Sequence, residues 1–122
     1  MDAPTMVQGA IWLFAIAALG GLFMAFQVFT GRDRPWSWLA MLHGFLAAAG
    51  LTLVVWATTM GGGVASLVNI GLAVLVLAAL GGVYLALKYH VKMLPLPKSI
   101  VLVHAAAAVV GFVLVLLGGR GG

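Results

Sequence analysis

Hydrophobic positions run along this chain in blocks far longer than any helical or strand alternation, and polar positions gather in the short stretches between them. Ala3 to Gly31 holds no charged residue. A bilayer core of about 30 Å takes roughly 20 apolar helical residues, so one span is expected at about 6–29. The next charge-free block, Pro35 to Leu87, is long enough for two spans. It is interrupted by Thr58-Thr59-Met60-Gly61-Gly62-Gly63, a run of breakers suited to a tight turn. Spans two and three are therefore expected at about 36–57 and 65–88. A fourth, at about 99–118, is entered through Met93-Leu94-Pro95-Leu96-Pro97, where proline ahead of a first helical turn removes only amides that would be unpaired anyway.

Composition carries the same message. The hydrophobic set makes up 65% of the 122 residues and charged residues 7%; mean hydropathy is +1.24. A water-soluble domain does not carry that balance. Hydrolysis by paired carboxylates is excluded, since Asp2 and Asp33 are the only acids, and the absence of cysteine removes thiolate and iron–sulfur chemistry. The net charge of +4 comes from residues confined to short stretches. Arg32 and Arg34 sit in one loop, Lys88, Lys92 and Lys98 in another, and Arg120 near the C-terminus. Such a pattern reports topology and excludes a nucleic-acid surface; anionic lipid is the partner it fits. With five of six basic residues in two loops, the positive-inside rule makes those loops cytoplasmic and puts both termini on the other side. Trp36, Trp38, Tyr84 and Tyr89 fall where the aromatic belt of that face belongs. Asp2 without a nearby Lys or Arg does not fit a signal peptide, and the first helix is expected to be retained.

Set against itself, the sequence matches in one ungapped register of 61 residues. Ala17-Ala18-Leu19-Gly20-Gly21 falls on Ala78-Ala79-Leu80-Gly81-Gly82, His43 on His104, Ala47 on Ala108 and Gly50 on Gly111. The fold class expected is an all-α integral membrane protein, a single domain over 1–122. It is an antiparallel bundle of four transmembrane helices built from two tandem two-helix repeats, about 1–61 and 62–122. An even number of spans per repeat inserts both copies the same way up and relates them by a pseudo-two-fold axis along the membrane normal.

The register also selects the candidate chemistry. His43 and His104 lie roughly 10 Å along their helices from the cytoplasmic ends. Each is followed by Ala at i+4 and Gly at i+7, giving the stripes His43-Ala47-Gly50 and His104-Ala108-Gly111. A flat macrocycle held by two imidazoles needs this surface, a neutral His at its centre and small residues beside it. In this respect the chain resembles the cytochrome b561-like and other bis-histidine membrane cytochromes b. The resemblance rests on architecture and His placement, and covers spans two and four. It implies one haem b, with His43 and His104 as ligands of the haem iron, the small residues of the stripes giving the ring room, and the basic loops receiving the propionates. It implies an electron carrier serving a quinone or another redox partner, with no catalytic residue of its own. Larger members carry a second haem near the opposite face, where this chain has no histidine.

Two plainer readings stand beside this one. A histidine near a helix end can pack with both nitrogens bonded to water, backbone or a hydroxyl, and duplication would copy it. The chain would then be a non-catalytic accessory or assembly subunit of a larger membrane complex, or a homo-oligomer. His90, whose register mate is Phe29, is expected to be a loop histidine. Gly21 with Ala25, Gly82 with Ala86, and Ala40-Gly44-Ala48 form small-xxx-small patterns expected to let helices approach closely. Short loops and absent cysteine fit a bacterial inner-membrane protein.

Overall fold

A computed structural model describes residues 1–120 of the chain. It is all-helical: α1 spans Ala3–Phe29, α2 Ser37–Thr59, α3 Ser66–Leu85 and α4 Lys98–Arg120, and a π-helical turn, Ala86–His90, extends α3. Each of the four, with the π turn counted into the third, is long and apolar enough to cross a membrane. α1 starts earlier than hydropathy alone predicts because Asp2 caps it: its carboxylate accepts the Thr5 amide at 2.9 Å and a proline occupies the first turn. Hydrogen bonding from Thr5, by its side chain first and then by its amide, lowers the Asp2 carboxyl from its ordinary value. The Gly-rich turn reverses the chain between α2 and α3, with Gly62 and Gly63 at φ 93° and 99°, the left-handed region that glycine enters at little cost.

The helices form a square. α1 packs along α2 and α3 along α4; α1 also meets α4, α2 meets α3 least, and among the described residues neither diagonal pair packs together. α2 and α4, which carry His43 and His104, therefore stand on one diagonal.

The two ends of the bundle differ. At the end holding the Gly-rich turn, Ala3, Met6, Val7, Ala10 and Phe14 of α1 close a core with Val54, Ala57, Val68, Leu75 and Val115. There Gln8 donates through Nε2 to the Gly119 carbonyl at 3.1 Å, tying α1 to the end of α4. At the basic end the Leu96 amide donates to the Asp33 carbonyl at 2.9 Å and joins the two loops. Trp36 lies 5.5 Å from Phe23 and 5.9 Å from Trp38, while Tyr84 and Tyr89 pair at 5.9 Å. The outward faces are apolar: Trp12 is 71% and Phe45 68% exposed.

Candidate functional site

The basic half of the bundle encloses a cavity of about 330 Å³. Its walls come from all four helices and mix small residues, Gly21 and Ala25 of α1, Ala40, Gly44, Ala47 and Ala48 of α2, Ala79 and Gly82 of α3, with larger apolar ones such as Met24, Leu51, Leu85 and Val101. Three polar side chains stand among them, the imidazoles of His43, His104 and His90.

His43 reaches from α2 across to α1, where its Nδ1–H donates to the Ala17 carbonyl at 2.7 Å. A carbonyl oxygen accepts only from a protonated nitrogen, so the bond fixes the tautomer. That carbonyl sits inside a helix and already serves the amide four residues on, but a carbonyl has two lone pairs. Access to the second is governed by the residue at i+4, whose Cβ leans back over the preceding turn. Here that residue is Gly21, and a Cβ on it would stand 2.9 Å from His43 Cε1. Glycine at 21 is therefore what lets the imidazole lie against α1.

The same arrangement stands 61 residues on. His104 Nδ1–H donates to the Ala78 carbonyl at 2.7 Å, and a Cβ on Gly82 would stand 3.0 Å from His104 Cε1. With both Nδ1 atoms committed as donors, both Nε2 atoms keep their lone pairs. Neither has a hydrogen-bond partner among the described residues and neither is sealed off, so both are presented to the cavity surface. The two ring centres are 6.3 Å apart and their planes 79° apart. That separation would leave room for a metal ion between the two rings at the roughly 2 Å bond that an imidazole nitrogen makes. Donor chemistry and spacing thus both fit a bis-imidazole iron centre.

The other residues singled out by the sequence divide. Ala47 lines the cavity beside His43. Ala108 is not among its walls, nor are Gly50 and Gly111. Those two glycines accept side chains across the tight helix pairs: a Cβ on Gly50 would stand 2.5 Å from Phe14 Cε1, and one on Gly111 2.7 Å from Leu75 Cγ. Expected as a close-packing stripe, Ala40-Gly44-Ala48 instead faces the void, and a Cβ on Gly44 would meet nothing within 4 Å.

His90 was expected in a loop. It closes the π turn that extends α3, where a wider turn swings its side chain onto the cavity rim, and its Nε2 shares a 3.0 Å hydrogen bond with Ser37 Oγ at the start of α2. Gly21 and Gly82 were visible as the repeated Gly-Gly pair but read as packing. The signal that marks them is their constant offset, 22 residues before each histidine.

Among the described residues no group of three His, Asp or Glu side chains comes together that could hold a metal ion unaided. Comparison with known protein families, with curated proteins and with solved structures finds no match to this chain.

Proposed function

We propose that the chain is a four-span membrane protein of two tandem repeats related by a pseudo-two-fold axis along the membrane normal, and that it holds one haem b between His43 and His104 as an electron carrier. Membrane insertion is supported by the four long apolar helices and by their exposed aromatic and aliphatic outer faces. The repeat is supported by contacts recurring at matched positions, His43–Ala17 with His104–Ala78 and Gly50–Phe14 with Gly111–Leu75.

One observation carries the haem reading: two imidazoles, each held through Nδ1–H by a backbone carbonyl and with no partner at Nε2, line one cavity 6.3 Å apart. Two nitrogens are too few for a structural zinc, which takes four protein ligands. They suit a macrocycle that fills the remaining positions itself. When bound, haem iron supplies one-electron redox chemistry by alternating between two oxidation states. The protein's part lies in its own groups. Backbone carbonyls hold both imidazoles in orientation through Nδ1–H, as hydrogen-bond acceptors behind metal-ligating histidines do. The walls are mostly apolar, and Arg32, Arg34, Lys88, Lys92 and Lys98 give the near end the positive field that carboxylates need. Electron exchange would occur on the side of those loops, cytoplasmic in a bacterial inner membrane with both termini outside, with a quinone or a redox protein.

The test is an absorption spectrum of detergent-purified protein, oxidised and then dithionite-reduced, with a pyridine haemochrome assay. One haem b per chain, with a sharp reduced α-band, is expected. A protein that remains colourless after expression with added haem overturns the reading and leaves the accessory-subunit alternative.

A further inference from the structure

Two of the bundle's four seams differ in a way the 61-residue register exposes. The seam between α2 and α3 is walled by Ala40, Gly44, Ala48 and Leu51 on one side and by Ala79, Val83 and Ala86 on the other. The register mates of the α2 residues on α4 are Val101, Ala105, Val109 and Phe112, each larger than its counterpart, and Val101 lines the same cavity. On the facing helix, Val83 is matched by the larger Leu22, and Ala79 and Ala86 by the equal Ala18 and Ala25. The smaller residue of each unequal pair thus stands on α2 or α3, and α2 and α3 are the adjacent helices that touch least.

The mouths of the two seams differ as well. The α1–α4 seam ends where Lys98 Nζ lies 5.8 Å from the centre of the Phe29 ring. The register mates of that pair are Ser37 and His90, which close the α2–α3 seam with one exposed hydrogen bond of 3.0 Å. Water can replace such a bond, and opening it widens the mouth of the cavity. Beside it lies a polar depression lined by Arg32, Asp33, Arg34 and Ser37, net basic, which shares Pro35 with the cavity wall. An apolar slot with a basic mouth complements a flat hydrophobic ligand with an acidic edge, and haem is that kind of molecule.

We propose that haem enters and leaves this protein sideways, from the bilayer through the α2–α3 seam, and that the Ser37–His90 hydrogen bond is the clasp across its mouth. The proposal rests on the haem reading above.

The absence of native cysteine makes the test clean. Ser37→Cys/His90→Cys is loaded with haem and linked by a short bis-methanethiosulfonate reagent. Release is then timed as transfer to added apomyoglobin. Linking should slow release about tenfold or more, as expected for a ligand gated by local opening, and reduction of the linker should restore it. The control pair Phe29→Cys/Lys98→Cys, linked in the same way, should leave release within about twofold of the unlinked rate. His90→Ala should release haem faster with an unchanged spectrum. Unchanged release across the linked α2–α3 seam, or slowing at the control seam alone, overturns the sideways route. An altered His90→Ala spectrum would make His90 part of the iron site and overturn its role as clasp. Failure of the unsubstituted protein to take up haem overturns the haem reading, and this proposal with it.

Discussion

Gly21 lies directly under the imidazole of His43: a Cβ at that position would stand 2.9 Å from Cε1 of the ring. Its counterpart Gly82 would bring a Cβ to 3.0 Å from Cε1 of His104. The ring is rigid and its Nδ1–H is anchored one turn away, so it cannot yield without losing the carbonyl bond. Gly21→Ala and Gly82→Ala should each cost about 1–3 kcal/mol of overpacking, offset in part by the roughly 1 kcal/mol by which alanine is the better helix former. Each should also weaken haem retention. Thermal unfolding in detergent followed by haem absorbance reads both effects, and a variant with full haem and unchanged stability would show that Gly21 does not seat the ring.

Gly50 and Gly111 lead to the opposite expectation. They receive Phe14 and Leu75, not the cavity contents, so enlarging them should separate helix pairs and leave the histidine cavity unaltered. Gly50→Ala and Gly111→Ala should destabilise by about 1–3 kcal/mol while haem-containing protein keeps its wild-type spectrum. A spectral shift with unaltered stability would return these glycines to the cofactor site.

The contrast shows what the sequence made legible. Long apolar blocks give away membrane-length helices because length and hydropathy are local properties, and the register picked out His43 and His104 because histidine is rare here. Which glycine serves a histidine depends on how neighbouring helices are rotated, and no stripe on a single helix contains that. His43-Ala47-Gly50 was read down one helix, whereas the glycine that seats His43 is Gly21, on the helix opposite. His90 was hidden for a related reason: a π turn prolonged α3 beyond where its charges implied a loop, and so carried the ring to the rim. Ala40-Gly44-Ala48 has the composition of a packing face, but small residues leave room, and whether a helix or a cavity fills it is decided by the neighbour.

Removing either candidate ligand separates cofactor binding from folding. His43→Ala and His104→Ala each delete one imidazole and its single carbonyl bond, leaving the core of the opposite end untouched. Helical content by circular dichroism should be retained and stoichiometric haem lost in both, because one axial bond in place of two holds the macrocycle far more weakly. Haem retained at one per chain in both variants would sink the assignment.

Asp2 sets a pH dependence confined to the first turn of α1. Its carboxyl is held below its usual value by hydrogen bonding from Thr5, so the folded state favours the charged form. That contribution is present above the carboxyl's unfolded value and is lost as pH falls through the lowered folded value. Amide exchange at Thr5 should therefore be protected near neutral pH and lose protection, relative to its intrinsic rate, on acidification below the ordinary carboxylate range. Asp2→Ala should abolish that dependence, whereas Asp2→Asn, a comparable cap without a titrating proton, should keep protection across the range. Acid-induced loss of protection in Asp2→Asn would assign the effect to another group.

The orientation argued from charge can be read with single cysteines, because the chain supplies none of its own. Gly62 lies in the turn between α2 and α3, at the end of the bundle that carries no basic loop, and Lys92 lies between α3 and α4 at the other. With Arg32, Arg34, Lys88, Lys92 and Lys98 all at one end, translocation of that end would carry five positive charges against the rule that retains them. In intact bacterial cells, Gly62→Cys should be modified by a membrane-impermeant maleimide and Lys92→Cys should be protected until the inner membrane is permeabilised. The Gly62 position tolerates this only at some local strain, since its φ of 93° disfavours a side chain, so Thr59→Cys, at the last residue of α2, serves as the second outer probe. Labelling of Lys92→Cys alone in intact cells would invert the protein. The mouth of the histidine cavity would then open to the outside.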